Sequence, residues 1–489
     1  MTIEDTSPGS RWTDTVDRRR PPESTSLSDA VWEEMKAAGR TISDIVSSSP
    51  SALRVWEVSA ETAGKIKDRL AESVEPSVFM PFDLGSRDGR AGPTKEKAHD
   101  GRARAPADSA REEPVVRERV DLNPEVQAER RHLARLAAAQ MRDGARRQLQ
   151  YDMAVFERRA WEGNPPVSSK EVANTYRQVA RLLESRAQGP TYPAERAELA
   201  RNIIHQAAMP HSVDQGQHKT CTVATMESRL YARNPSAVAK VVADVATTGS
   251  LATASGVRVS LAESQLIPDQ EARSHRDSQR SYASQIFQLT AVNVKYAVAN
   301  ATGELGGKVR YEQVEPQKGA NPPDTGERLV DYSTNPPRLL HRGPNIAVKE
   351  LPEMTYQITG KHQKDMVVLH ADDGGWFDGT RKVASVEDLS KELSAAKREG
   401  RFPLILRVHT KNEPFFSDSG AGKAGGSGAW HAVTVTGFDE ATGRVSVDNQ
   451  WGSKKDHFGW NGIPVHQLYA ATKKPATKKP EQPRSMPLA

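Results

Sequence analysis

The chain predicts an α+β fold, and three observations carry that expectation. Helix starts and helical spacing fill residues 123–208, and alternating apolar residues crowd the stretch from 404 to 448. Between them a helical segment opens on Cys221, the only cysteine of the 489 residues.

Residues 1–26 hold Ser, Thr, Pro, Asp and Arg without apolar periodicity and read as a disordered arm. Val31 and Met35, then Ile42, Ile45 and Val46, then Ile66 and Leu70, mark a small helical unit at 27–81. A charged run rich in Gly, Pro, Arg and Asp makes 82–122 a linker. A helical region follows at 123–208. Asn123-Pro124 supplies a capping side chain and a proline for the first turn. Leu133, Leu136 and Ala137, then Leu149, Met153 and Phe156, give a broken 3.6-residue period that Gly163-Asn164-Pro165-Pro166 ends. Ser168-x-x-Glu171 is a capping box before Val172, Tyr176, Val179 and Leu183, and a third helix spans 193–208.

A larger catalytic domain is expected at 209–471. Helices follow Cys221 and Asn234-Pro235, the second ending at Gly249; 251–351 is mixed, with a helix from Tyr282 to about Val298. Strands are expected at 356–358 and 366–369, then a helix opened by Ser385-x-x-Asp388 and closed by Gly400. A strand at 404–408 and a glycine-rich loop at 419–428 lead to strand 431–438, which turns through 439–443 into 444–448. Thr472-Lys473-Lys474-Pro475 and its near-repeat Thr477-Lys478-Lys479-Pro480 read as a solvated tail over 472–489.

Composition narrows the function classes. Hydrophobic residues are 36% of the chain, too few for an evenly packed globule of this length, in keeping with unstructured ends. A net charge of +5 mixing both signs is a weak argument for nucleic acid, so no nucleic-acid partner is expected. One cysteine excludes an internal disulfide and a cysteine-rich zinc module, and no metal or other cofactor is expected. No apolar stretch is long enough to span a bilayer, and Met1-Thr2-Ile3-Glu4-Asp5 opens no conventional signal peptide. The expectation is a cytoplasmic protein, or one exported by a route that reads no apolar signal. Abundant Ala and Arg are in keeping with a GC-rich bacterial genome.

The chemistry lies in four groups that occur in order. Gln215-Gly216-Gln217-His218-Lys219-Thr220-Cys221 joins an amide donor to a thiol at a helix start, where unpaired N–H groups favour a thiolate. Trp430-His431-Ala432-Val433 places an imidazole at the start of a strand beside a glycine-rich loop. Asp448-Asn449-Gln450-Trp451-Gly452 then offers an amide oxygen for the imidazole N–H, with Trp451 to cover that bond. Asp448 can fill the same role if the strand register slips. Gln215 is the candidate oxyanion donor, with the Cys221 backbone N–H as the second; Gln217 competes with it.

Together Gln-Gly-x-x-x-x-Cys, His-Ala-Val and Asn-x-Trp-Gly resemble the papain-like cysteine protease superfamily, over roughly residues 206–469. The resemblance implies Cys221 as nucleophile, His431 as general base and acid, Asn449 as orienting residue and Gln215 as oxyanion donor. It also implies two lobes, a helical one with the nucleophile and a β-barrel-like one with the imidazole. Thr222-Val223 after the thiol, no partner cysteines and a long segment between Cys221 and His431 look more like a divergent bacterial branch, similar to cysteine protease effectors or bacteriocin-processing peptidases. The activity implied is cleavage of a peptide or isopeptide bond in a protein or peptide substrate. Deamidation or transglutamination of a protein glutamine needs the same residues, and a catalytically silent interaction module is the rival of another class. A nucleic-acid binder using the Lys-rich tail comes last.

Two further motifs lack the spacing their chemistry needs. Gly422-Lys423 has no glycine five residues before Gly422 and no Ser or Thr after it, so it is not a phosphate loop. Asp372-Asp373-Gly374-Gly375 lacks the further oxygens of a calcium loop.

Overall fold

In a computed structural model the chain is described over residues 119–475, excepting 164, 186–188, 316–325, 416–427 and 453–461. The expected arm at 1–26, the helical unit at 27–81, the linker as far as 118, loop residues 419–427 and the tail from 476 onward lie outside the described residues.

Asn123 accepts from the N–H groups of Glu125 (3.0 Å) and Val126 (3.3 Å), and Pro124 fills the first turn; together they start helix α1 (Pro124–Gln140). The broken period after it reflects two helices. Met141 and Arg142 take extended ψ values of 145° and 153°, so the chain restarts as α2 (Asp143–Glu162). Ser168 accepts from Glu171 N–H (3.3 Å) and opens α3 (Ser169–Glu184); α4 (Pro193–Ala208) follows. Then come α5 (Cys221–Arg233) and α6 (Pro235–Thr248). Asn234 does not cap α6; its side-chain oxygen accepts from Gln363 Nε2 (3.3 Å) instead. Gly249 ends α6 at φ 71°, a left-handed conformation that costs glycine no Cβ clash.

The mixed region resolves into an antiparallel ribbon, β1 (Ser250–Ala252) with β2 (Arg258–Ser260), short helices α7 (Glu263–Leu266) and α8 (Gln270–Ser274), and the mostly buried α9 (Tyr282–Ala301). Strands β3 (Val309–Gln313), β4 (Glu327–Asp331) and β5 (Arg338–Arg342) form a separate antiparallel sheet. The strand expected at 356–358 is instead part of helix α10 (Leu351–Thr359). Pro352 and Glu353 in the first turn and Gly360 at φ 69° after the last are helix start and stop signals that outweigh the β-branched residues between them.

A six-stranded mixed sheet completes the chain. Its strands are β6 (Val367–His370), β7 (Thr380–Val383), β8 (Leu404–His409), β9 (Trp430–Asp439), β10 (Arg444–Asp448) and β11 (Ile463–Pro464), in the order β11-β10-β9-β8-β6-β7. β6 runs parallel to both β7 and β8, and the other pairs are antiparallel. Helix α11 (Val386–Arg398) links β7 to β8, and α12 (Val465–Ala471) follows β11.

Alternation along the strands gives the sheet two apolar faces. Val367, Leu369, Ile405 and Ala432 join one core with α1–α6 and α9. Val368, Leu404, Leu406, Val433 and Val435 join another with Leu389 and Leu393 of α11 and Leu468 of α12. The helices of 123–208 are therefore not a separate region: Leu133, Phe156, Tyr176 and Ile203 share the core that holds α5. Both expected flanks also shift. Val120, inside the expected linker, is buried in that core, and Thr472, at the start of the expected tail, is buried with its hydroxyl on the Tyr469 carbonyl (2.7 Å).

A shared core makes a testable statement about cooperativity. Phe156→Ala, remote from the thiol, is expected to cost about 3–5 kcal/mol and to lower one unfolding transition that also reports on α5. In urea denaturation followed by hydrogen exchange, an early separate loss of residues 123–208 alone would contradict it.

Candidate active site

Residues 215–220 approach the sheet as a turn, and α5 begins at Cys221. Thr220 stands at the N-cap but makes no side-chain cap; its hydroxyl donates to Gln288 Oε1 (2.7 Å) on α9. The first amides of α5 are thus not capped by Thr220, and the positive end of the helix dipole lies at the sulfur. Gln288 also donates to Asp214 O (3.2 Å) and to Glu227 Oε2 (2.9 Å), tying the turn to the interior of α5. Burial pushes Glu227 up to about 7 against the opposing bonds from Gln288 and Ser284 and the charge of Arg280.

Helix α5 packs on β9, whose second residue is His431. From β9, His431 and the Ala432 N–H act on the Cys221 thiol and favour its charged form. Burial raises the thiol, but the His431 bond and charge, the Ala432 N–H and the Thr222 hydroxyl together outweigh it. The thiol is brought from 9.0 down to about 7. Thr222 Oγ1 lies 3.9 Å from the sulfur. Cys221 is half-buried and His431 is buried.

The far side of the ring is fixed by the turn after β10. His431 Nε2 lies 2.9 Å from Asn449 Oδ1, and Asn449 is buried. An amide oxygen is an acceptor only, so Nε2 carries the hydrogen and Nδ1 is left for the sulfur. Trp451 stacks on the His431 ring with centroids 4.2 Å apart and planes 22° from parallel, shielding that bond from water. Asp448 is committed elsewhere: its Oδ2 accepts from Ser228 of α5 (3.1 Å) and from Gln450 Nε2 (3.1 Å). Gln450 also donates to Thr434 (2.9 Å), so the residue pair around Asn449 is locked to the sheet and to the thiol-bearing helix.

Gln215 belongs to the same assembly by its backbone, since its N–H donates to Gln450 O (2.9 Å). Its side-chain Nε2 donates to the His218 carbonyl (2.9 Å), which uses one of the two amide hydrogens and leaves the second for another acceptor. Gln217, its competitor, has an exposed side chain and uses its backbone N–H on Glu271. The structure thus joins His431, Asn449 and Trp451 by direct contact, packs the helix of Cys221 against their strand, and ties Gln215 to the same turn by its backbone. Sequence reasoning missed Gln288, Ser228 and Gln450 as supports. Gln450 alone had a visible signal, its place inside the Asn-Gln-Trp-Gly turn.

Among the described residues no group of three or more His, Cys, Asp or Glu side chains could hold a metal ion, and no helix is long and apolar enough to cross a membrane. Comparison with family models, with curated proteins and with solved structures finds no match for this chain.

The depressed thiol sets a pH dependence. A lowered value means that half the sulfur is thiolate near pH 7, and that reactivity is lost as pH falls below that point. Alkylation of Cys221 by iodoacetamide should rise with pH through a midpoint near 7. In His431→Ala the midpoint should move up toward an ordinary thiol; an unchanged profile would separate the ring from the sulfur.

Proposed function

We propose that the chain is a thiol-dependent hydrolase of papain-like type that cleaves peptide or isopeptide bonds through an acyl-enzyme. The observation that carries this reading is a thiol at a helix start that His431 draws toward its charged form, with the same ring bonded to Asn449. The two-lobed reading of the fold rests on the same division, a helix-borne thiol facing a sheet-borne imidazole and carboxamide.

In the proposed cycle the Cys221 thiolate attacks the substrate carbonyl carbon while His431 Nδ1 holds the proton. The carbonyl electrons move onto oxygen, for which the Cys221 N–H and the Gln215 amide are the proposed donors. The C–N bond then breaks as the imidazolium protonates the leaving amine, and the thioester remains. Water attacks it with His431 as base, releasing acid and restoring the thiol. Asn449 keeps the ring plane and tautomer through both halves. Deamidation releases ammonia in the first half, and transamidation replaces water with an amine in the second; both use the same residues. No cofactor enters any of these steps.

Mass spectrometry of candidate proteins after incubation separates these outcomes from each other and from a silent interaction module. Cys221→Ala should abolish product, by about 10³-fold or more, and His431→Ala should do nearly the same with the fold retained. Asn449→Ala should lower kcat with KM little changed, because it orients the base rather than binding substrate. Wild-type protein that modifies nothing and shows no thiolate reactivity would overturn the hydrolase reading in favour of a binding role.

A further inference from the structure

The turn that precedes the thiol is held by carboxylates that approach from outside it. Gln217 N–H donates to both oxygens of Glu271 on α8 (3.2 Å each), and Lys219 N–H donates to Glu327 Oε1 on β4 (2.8 Å). Between those two anchors the His218 ring stands 3.4 Å from Glu327 through Nδ1, and 3.7 Å from Asp269 and 3.9 Å from Glu271 through Nε2. Arg280, almost wholly buried, pairs with Asp269 (2.6 Å) and brings a positive charge to the cluster. Gly216 at φ 66° makes the approach of Glu271 possible, since a Cβ there would stand 2.1 Å from Glu271 Oε2.

One peptide unit connects this cradle to the proposed oxyanion donor. The Lys219 N–H and the His218 carbonyl belong to the same peptide group. Glu327 accepts from its N–H, and its carbonyl accepts from Gln215 Nε2 (2.9 Å). A carboxylate on the N–H polarises the group and strengthens the carbonyl as an acceptor. That carbonyl then decides which end of the Gln215 amide is nitrogen and where its second hydrogen points. Glu327 is fully buried, and it lies 108 positions after the amide it accepts from. A buried carboxylate costs free energy unless its bonds repay it, and the Lys219 N–H is one of those bonds.

We propose that Glu327 is a positioning residue for acyl transfer. Through the peptide group of His218 and Lys219 it fixes the Gln215 amide toward the developing oxyanion. This rests on the thiol chemistry proposed above and adds to it a residue that does not touch the reacting atoms.

The test compares two reactions of one sulfur in the full-length protein. Iodoacetamide needs only the thiolate, whereas acylation by a nitrophenyl ester of an N-acyl amino acid also needs the oxyanion donors. Glu327→Gln keeps the shape of the side chain and removes the charge. It is expected to leave the alkylation midpoint near 7 while slowing acylation roughly 10- to 100-fold, less than the about 10²–10³ for an oxyanion donor lost outright. The double variant Gln215→Ala/Glu327→Gln should be no slower than Gln215→Ala alone, because the carboxylate acts through that amide. Additive losses, or equal losses in alkylation and acylation, overturn the inference, since a purely structural role gives one of those. A wild-type protein that alkylates only like an ordinary thiol and is not acylated overturns the catalytic reading itself, a result distinct from both.

Discussion

The site depends on one meeting point, the start of α5 against the start of β9. There the thiol at the positive end of a helix dipole finds an imidazole that a strand holds in place. Neither element can shift without the other. Asp448 at the end of β10 bonds to Ser228 on α5, and Gln450 in the next turn bonds to Thr434 on β9 and to the Gln215 backbone. These bonds are buried, where a lost partner leaves an unsatisfied polar group costing about 1–3 kcal/mol. The geometry around Cys221 is therefore a property of the core and not of a surface loop.

That arrangement divides labour between two kinds of support. On the sheet side the supports are local in sequence: β9, a tight turn and β10 bring His431 and Asn449 together, and Trp451 covers their bond. Behind the thiol they are remote, with Gln288 on α9, Glu271 on α8 and Glu327 on β4 each gripping one residue of the turn before Cys221. The long segment between Cys221 and His431 supplies all three.

This division explains what was legible in the sequence. The hairpin of β9 and β10, its turn at 439–443 and the helix caps at Asn123, Ser168 and Ser385 were readable because each depends on neighbours a few positions away. Cys221, His431 and Asn449 stood out for the same reason, each within a short motif of its own. The sheet of β3, β4 and β5 was not readable. Charged residues recur along it, and β5 is exposed throughout, so no alternation of apolar residues marks it. Helix α10 was misread because Tyr356 and Ile358 carry a strand signal that its proline start and glycine stop override. Glu327 had no local signal at all, since a carboxylate in a short polar strand becomes meaningful only when folding sets it against Lys219.

The central claim is that sulfur and ring touch, and a short bifunctional alkylating agent measures that contact directly. Dibromoacetone added to the folded protein should alkylate Cys221 and then, with its second arm, the His431 ring. A digest would then contain one species joining the peptide of Cys221 to the peptide of His431, absent when the protein is unfolded before treatment. Recovery of Cys221 alkylated alone, or bridged to another residue, would mean that the thiol and the imidazole do not share a site.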